Sequence, residues 1–270
     1  MMEGKDKTNP QQPEVWELLL SIGDKEMKYI KFVPSVAGSL VMGEFPLGDD
    51  TLRSLEDAVY DKPELLEEHR RVRVIVHSRH FVLLPQETAD DDCRMLAQQA
   101  FPGDGGDAAV CTLPLNGVKI AWLMPRGLQA FLGRTFNYPE VYHRLTPLCE
   151  YFKGLNGGDS LSRMFLHLQE GEMDLVIYHD GKLQCANSYP FDDGQDAAYY
   201  VLNAWRTHGL DQLTDELQLI GDASMLSTMT PVLREYVKYV MPAVYPAAAM
   251  RLGRDAMQAP LELILQALCE

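Results

Sequence analysis

The chain has 270 residues, of which 46% are apolar and 23% are charged, and its formal net charge is −15. This length and apolar content are enough for a buried core in each of two domains of ordinary size. The acidic charge disfavours binding to nucleic acid or to an anionic membrane surface, because both would repel the protein. No apolar run reaches the roughly 20 residues that a membrane-spanning helix needs. We therefore expect no direct membrane insertion and a cytoplasmic location.

The five cysteines are scattered along the chain, without a Cys-x-x-Cys pair or a cluster of Cys and His. An odd number of isolated cysteines argues against a disulfide framework and against structural zinc. We therefore expect reduced, buried thiols and no metal site. The cysteines are Cys93, Cys111, Cys149, Cys185 and Cys269.

The first elements of the chain are predicted to be three strands and a helix. Residues 1–13 lack apolar periodicity and contain two prolines, which predicts a disordered tail. The strands are predicted from short runs that are apolar or that alternate apolar and polar residues. These runs lie at residues 15–22, 27–33 and 40–45. Asp49 or Asp50 can cap the helix that follows them.

The middle of the chain adds a buried strand and several further elements. Residues 72–76 form a near-continuous apolar run, which is typical of a strand in the middle of a sheet. The remaining predicted elements are a helix over residues 83–100, a hairpin of residues 108–113 and 118–123 joined at Asn116-Gly117, and helices from Pro125 and over residues 139–153.

The stretch from Arg163 to Trp205 repeats the order strand, strand, strand, helix. Asp180-Gly181 predicts a tight hairpin turn, since both central positions of a type I′ turn need a positive φ. Asp192 or Asp193 can cap the helix. The other elements predicted in this part are strands at residues 164–168, 175–179, 183–188 and 217–220, and helices over residues 225–240 and from Leu261 to Leu268.

Residue matches between the two parts support a repeat. Glu26-Met27-Lys28 matches Glu172-Met173-Asp174, and the run from Phe45 to Asp49 matches the run from Tyr189 to Asp193. A spacing of about 145 residues indicates two duplicated domains rather than a solenoid of short repeats. Chance similarity between two hairpin-rich segments is the alternative.

The predicted domains follow from this repeat. The first spans residues 14–158 and contains an insertion, and the second spans residues 159–270. The segment from Asn156 to Ser160 is rich in Gly and polar residues, so we predict that it links the two domains.

A doubled β-β-β-α-β-α unit resembles the fold of actin, the sugar kinases and the Hsp70 ATPase. That α/β fold has mixed sheets in two ribonuclease-H-like domains, and nucleotide binds between them. More narrowly, the run from Cys185 to Phe191, the run from Asp196 to Tyr200 and the ending Leu268-Cys269-Glu270 resemble an uncharacterised family of Bacteroidetes proteins. The resemblance covers nearly the whole chain and implies an actin-like ATPase fold without implying an activity.

The resemblance identifies the phosphate loop of the first domain. Working members of the superfamily carry an Asp-x-Gly loop there, whose backbone N–H groups hold phosphates and whose Asp positions a metal ion. In this chain Gly23 keeps its glycine place, Ser21 stands at the aspartate place, and Lys25 follows in the loop. A hydroxyl group does not supply the charge that holds a divalent ion.

The corresponding loop of the second domain departs further from the superfamily pattern. His167 takes the aspartate place, Gln169 and Glu170 take glycine places, and Gly171 follows them. Glu172 replaces a hydroxyl residue. Two carboxylates would therefore point toward the phosphates, and like charges at about 4 Å repel by about 1 kcal/mol even in water.

A third nucleotide contact of the superfamily is a Gly-Gly turn on the adenosine side. Gly221 is present in this chain, whereas Asp222 stands at the second glycine and can serve as a helix cap. The nine residues at these three contacts form a vestigial cleft in this interpretation. They are Ser21, Gly23, Lys25, His167, Glu170, Gly171, Glu172, Gly221 and Asp222.

The sequence therefore predicts a non-catalytic protein that binds no cofactor and acts through an unidentified protein partner. The alternative is a divergent ATPase or kinase-like enzyme that binds ATP and magnesium with Lys25, Glu170, Glu172 and Asp222. Residues 260–270 are a candidate docking segment, or else a packed helix that closes a domain. A metal pair of His167 and His179 is a weaker alternative, and the sequence predicts no oligomeric state.

Overall fold

The computed structural model describes residues 15–103, 105–156 and 161–269. The predicted tail of residues 1–13 and most of the predicted linker therefore lie outside the described residues. We call residues 15–156 the first half and residues 161–269 the second half.

The first half is built mainly of short strands and helices. In chain order they are β1 (Glu17–Ile22), β2 (Glu26–Phe32), β3 (Val41–Pro46), α1 (Thr51–Tyr60), α2 (Pro63–Leu66), β4 (Arg71–Val76), β5 (Phe81–Pro85), α3 (Asp90–Ala100), β6 (Asp107–Leu113), β7 (Val118–Met124), α4 (Leu128–Thr135), β8 (Glu140–His143) and α5 (Leu145–Leu155).

The second half repeats the opening pattern with longer strands. Its elements are β9 (Arg163–Gln169), β10 (Glu172–His179), β11 (Lys182–Pro190), α6 (Gly194–Thr207), β12 (Glu216–Gly221), α7 (Ala223–Arg234), β13 (Tyr239–Pro242) and α8 (Leu261–Leu268). In the part of the chain that the structure describes, no helix combines the length and apolar character needed to span a membrane.

Two five-stranded sheets have the same order and the same strand directions. The first runs β3-β2-β1-β4-β8 and the second runs β11-β10-β9-β12-β13. In each, the hairpin strands pair antiparallel and the last two strands join in parallel. A third sheet, β5-β7-β6, is inserted in the first half between β4 and β8. The predicted pair of mixed sheets with an insertion therefore describes the architecture.

The two sheets also correspond in register. Glu26 pairs with Pro46 in the first sheet, and Glu172 pairs with Pro190 in the second. Two residues after each of these glutamates, Lys28 lies opposite Ser21 and Asp174 lies opposite His167. The residue matches found in the sequence thus occupy equivalent positions on the two frames.

One hydrophobic cluster contains buried residues of both halves. Phe152 on α5 stacks on Phe165 of β9 with ring centroids 4.7 Å apart. Phe165 and Tyr178 belong to the same buried cluster as Leu18 and Val74 of the first sheet. The division of the chain into domains at residue 158 stays a prediction. The structure adds that one cluster bridges the two halves, while another lies within the second half alone.

The C-terminal helix α8 packs on the first sheet, although it ends the second half. Leu263 and Ile264 are fully buried in one cluster with Leu19 and Ile75. Arg73 donates to the carbonyl oxygens of Gln266 and Cys269 at the helix end. The chain itself therefore covers the apolar face of α8, as expected for the alternative of a packed helix rather than a docking segment.

Three predicted helices were partly wrong, each because a short strand formed instead. The structure has β5 in the predicted helix of residues 83–100, β8 in that of residues 139–153, and β13 in that of residues 225–240. These strands have four or five residues each. A run this short has too few positions to distinguish strand from helix by periodicity, so pairing with a distant strand decides its structure.

The Asp180-Gly181 turn signal and the cap signals at Asp50 and Asp193 were correct. Asp180 and Gly181 both have positive φ, at 48° and 67°. The Asp193 side chain accepts hydrogen bonds from the N–H groups of Gln195 and Asp196, and Asp50 accepts one from Arg53. Such signals depend on neighbouring residues alone, which is why sequence reasoning finds them.

Gly221 is required by the backbone. Its φ is 133°, and a Cβ atom there would lie 2.8 Å from the carbonyl carbon of Leu168. Gly171 has a φ of 72° but open space around it.

We expect Gly221→Ala to lower the free energy of unfolding by more than about 3 kcal/mol, and Gly171→Ala by about 1 kcal/mol. Urea unfolding measures both, and equal costs would contradict the close approach of β9 and β12.

Candidate functional site

A cleft of about 740 Å³ lies where the hairpins of the two halves meet. The β1–β2 and β9–β10 turns and the ends of β4 and β12 form its walls, and the start of α8 forms another side. All nine residues of the vestigial cleft line it. They are Ser21, Gly23, Lys25, His167, Glu170, Gly171, Glu172, Gly221 and Asp222. The structure thus brings together residues as far apart in the chain as Ser21 and Asp222.

On the first-half side, Ser21 is hydrogen-bonded to two groups. Its Oγ donates to Oε1 of Glu262 over 2.9 Å and lies 2.8 Å from Nε2 of His77. The same Nε2 atom lies 3.3 Å from Oε1 of Glu262. In a catalytic triad the acid contacts one ring nitrogen of the histidine and the serine contacts the other. Here the acid and the serine both contact Nε2 of His77, and they also contact each other. These contacts make Ser21 a buried structural group rather than a nucleophile.

Glu262 is charged although it is buried. Burial would raise the pKa of its carboxyl group, but the hydrogen bond and charge of His77 lower that pKa to about 2. Its Oε1 atom is held by Ser21, whereas Oε2 has no hydrogen-bond partner from any other described residue. The wall of the cleft thus contains a carboxylate that its protein neighbours satisfy only in part.

On the second-half side, Asp174 is the centre of a buried network. Its Oδ2 lies 3.2 Å from Nδ1 of His167, and its Oδ1 accepts a hydrogen bond of 2.6 Å from the Ser188 hydroxyl. A guanidinium nitrogen of Arg144 also lies 2.6 Å from Oδ1. Burial would raise the pKa of Asp174, but Arg144, followed by His167 and Ser188, holds it well below its usual range.

Arg144 crosses from the first half to the second. It follows β8, is 2% exposed, and contacts Glu172 as well as Asp174. Glu172 also accepts a hydrogen bond of 2.8 Å from Nε of Arg79, another first-half residue. One of the two carboxylates expected to face the phosphates is therefore neutralised by two arginines. The other, on Glu170, is exposed at the tip of a turn.

The turn residues of the cleft have structural roles. Glu170 and Gly171 form a two-residue turn between β9 and β10, which are paired up to Gln169 and Glu172. Asp222 stands at the N-cap position of α7, yet its side chain makes no capping hydrogen bond. The expectation that Asp222 caps the helix was therefore wrong for the side chain, which is exposed beside the cleft.

The cleft as a whole is acidic. Seven of the residues that line it are carboxylates, against three cationic side chains. The carboxylates are Asp24, Glu26, Glu44, Glu170, Glu172, Asp222 and Glu262, and the cations are Lys25, Lys28 and Arg79. Because field lines concentrate in a cleft with low-dielectric walls, this imbalance acts on any charged ligand that enters.

Sequence reasoning missed the groups that hold this site together. His77 directly follows β4, and Asp222 occupies the equivalent position after β12. The N–H of His77 donates to Ile22 at the end of β1, and the N–H of Asp222 donates to Leu168 of β9. The repeat in the sequence could have indicated that these two positions correspond. Arg144 was hidden because a helix was predicted where β8 ends. Glu262 reaches the site from the far end of the chain, and no local signal pointed to it.

The alternative of a metal pair of His167 and His179 does not match the geometry. His167 lies opposite Asp174, whereas His179 lies at the other end of β10 with its Nδ1 2.8 Å from the Ser162 hydroxyl. The expectation that the two histidines could be neighbours was therefore wrong. Over residues 15–103, 105–156 and 161–269, no three His, Cys, Asp or Glu side chains converge to hold a metal ion.

His143, directly before Arg144, is buried as a neutral ring. Its Nε2 donates to the Ser78 carbonyl over 2.8 Å, and its Nδ1 accepts from the N–H of Leu145 over 3.2 Å. Burial, together with the charge of Arg144, lowers the pKa of His143 to about 3. A histidine in the unfolded chain titrates near pH 6.5. The unfolded state therefore binds a proton first as the pH falls, and this favours unfolding.

We expect the free energy of unfolding to fall by up to about 1.4 kcal/mol per pH unit from this residue between pH 6.5 and 3. Urea unfolding at several pH values measures the slope. His143→Gln should flatten it above about pH 5.5, where the carboxyl groups of Asp174 and Glu262 are almost fully ionised in the unfolded chain as well and do not contribute. His208→Gln, at an exposed histidine, is the matched control. An unchanged slope in His143→Gln would contradict the assignment of a buried neutral ring.

Two solved structures are similar to this chain over nearly its whole length. A protein of known structure from Bacteroides thetaiotaomicron, with an actin-like ATPase fold and unknown function, is 19% identical. The match covers 96% of this chain and 97% of that one, with a TM-score of 0.78. A PilM-PilN type IV pilus biogenesis complex is 13% identical, with 97% and 100% of the two chains covered and a TM-score of 0.59. No curated protein matches the chain.

These similarities confirm the fold that the resemblance implied. The chain has mixed sheets and the actin-like ATPase fold. The model of one protein family, described as a protein of unknown function (DUF3822), matches residues 5–240. The chain belongs to this family of unknown function.

Proposed function

We propose that this protein is non-catalytic and acts through protein-protein interaction on an actin-like scaffold whose nucleotide cleft is held by its own ion pairs. The observation that carries the proposal is Arg144, a first-half residue buried against Glu172 and Asp174 of the second half. These residues belong to the hairpin that corresponds to the phosphate loop of the second domain. The chain itself thus supplies the cation at that loop.

The charge balance supports this proposal. The positive charge of Arg144 is offset by two carboxylates at hydrogen-bonding distance, so little of it is available to a phosphate group. The remaining cleft residues carry a surplus of acidic groups. A triphosphate entering this space would meet repulsion that a low-dielectric cleft strengthens several-fold over water.

The donor groups present fit a magnesium nucleotide poorly. Ser21 and His167 stand at the two aspartate places, and both are already engaged, with Glu262 and Asp174 respectively. Mg²⁺ prefers near-octahedral oxygen coordination. No three carboxylates or histidines of the described residues converge on one point that could complete such a site. We therefore propose that the protein uses no nucleotide cofactor.

A role in binding another protein is supported by the scaffold. A solved relative of the same fold is a component of a PilM-PilN pilus biogenesis complex, in which two different proteins assemble. Fold similarity at 13% identity does not transfer a partner, so the partner of this chain is proposed only as a protein. The acidic chain and its cleft give the surface on which such a partner would be recognised. We also propose a cytoplasmic location.

A divergent ATPase or kinase-like enzyme is the second candidate, and the size of the cleft favours it. A volume of about 740 Å³ is within the range of small-molecule sites. Lys25 is exposed on its wall, and Arg79 faces it from the same half. In this candidate these cations would hold the phosphates.

Isothermal titration with magnesium ATP decides between the two candidates. We expect no saturable heat up to millimolar ATP for the wild-type chain, because the acidic surplus and the internal ion pairs oppose phosphate binding. Lys25→Ala serves as the diagnostic variant, since Lys25 is exposed and its removal does not disturb packing. Micromolar binding that Lys25→Ala weakens would overturn the proposal in favour of the enzyme.

A further inference from the structure

We propose that the cleft binds an organic cation, whose ammonium or guanidinium groups reach the carboxylates of both halves. This inference rests on the proposed function, because it takes the cleft to be free of nucleotide. It adds the chemical class of the ligand, which neither the fold nor the family of unknown function provides.

The partly satisfied carboxylate of Glu262 is the first observation. The side chain is 2% exposed and lines the cleft, and its Oε2 lacks a hydrogen-bond partner from any other described residue. A buried charged group without its full set of hydrogen bonds costs free energy. Oε2 itself is closed to solvent, so a cation bound in the cleft would act on Glu262 by stabilising its negative charge.

A cation of the protein already occupies part of the cleft. The ammonium group of Lys28 lies 2.5 Å from Glu26. Although burial would lower the pKa of Lys28, the hydrogen bond and charge of Glu26, with the charges of Glu262 and Glu44, raise it above its ordinary value. The first-half wall therefore stabilises an alkylammonium group, which is the chemistry that we assign to the ligand.

The distribution of the carboxylates disfavours a bound divalent metal ion. Glu26 and Glu44 belong to the first half, whereas Glu170 and Asp222 belong to the second. Because no three such groups converge in the described parts of the chain, they would not enclose a divalent metal ion. An extended molecule with several separated N–H donors can contact groups on both walls, as a polyamine or a basic peptide segment does.

Both sources offer the same chemistry, so the test uses one probe for each. Spermidine represents a free polyamine, and a short peptide of alternating glycine and lysine represents a partner segment. Each is titrated into the full chain by calorimetry at constant ionic strength set with sodium chloride, which separates specific binding from general attraction to an acidic protein. Magnesium ATP is titrated separately, so that failure of the proposed function is observed independently.

We expect at least one probe to bind saturably and to raise the melting temperature. Glu262→Gln and Glu170→Gln should each weaken binding about tenfold, since each removes one negative charge from the wall of the cleft. Glu170 is exposed, so its variant tests the site even if Glu262→Gln lowers stability. Glu235→Gln, an exposed carboxylate outside the cleft, is the matched control and should leave the affinity unchanged.

Binding of the peptide alone would assign the site to a basic partner segment, and binding of spermidine alone would assign it to a free polyamine. Absence of saturable binding by both probes would overturn this inference, even if magnesium ATP also failed to bind. Equal binding by the wild type, Glu170→Gln and Glu262→Gln would overturn it too, because the attraction would then be general rather than centred on the cleft.

Discussion

The arrangement of this protein depends on one buried guanidinium group. Arg144 leaves the end of a first-half strand and lies between two second-half carboxylates, on Glu172 and Asp174. Burying such charges costs several kcal/mol per ion, and attraction offsets that cost only when the remaining hydrogen bonds are also satisfied. Asp174 meets this condition through His167 and Ser188, whereas Nε and Nη2 of Arg144 form no hydrogen bond with a described residue. The pair thus joins the two halves by the attraction of opposite charges, at the hairpin that corresponds to the phosphate loop of the second domain.

The two halves share one strand arrangement but carry residues of different charge at equivalent positions. The register places Lys28 in the first half where Asp174 stands in the second, and Glu44 where Ser188 stands. The first half consequently offers an ammonium group surrounded by carboxylates, and the second offers a carboxylate surrounded by donors. A repeated fold thus carries two different local chemistries. Function is determined by these side chains rather than by the scaffold they share.

What could be predicted from the sequence is what local chemistry determines. The Asp180-Gly181 turn, the Asp193 cap and the match of Glu26 to Glu172 each depend on a few neighbouring residues, and the structure has all three. The cleft residues His167 and Glu172 were also found from the repeat and the resemblance. Their roles were harder to predict, because a role depends on partners.

The missed residues were those whose partners lie far away in the chain. β8 has four residues and pairs with β4, so that Arg73 lies opposite Glu140. Neither its type nor the position of Arg144 follows from periodicity. Glu262 meets Ser21 across most of the chain length, at the start of a helix whose apolar face suggested a docking surface. Long-range pairing and charge networks of this kind are fixed by the whole fold.

A double-mutant cycle on Arg144 and Asp174 tests the central interaction most directly. Arg144→Met, Asp174→Asn and the double variant are compared by urea unfolding, with Arg79→Met as a control at the exposed end of the network. We expect Arg144→Met to cost about 3–5 kcal/mol, because it leaves a buried charge unpaired. Asp174→Asn should recover part of that loss in the double variant, and Arg79→Met should cost less than about 1 kcal/mol. Additive effects of the two substitutions would contradict the account.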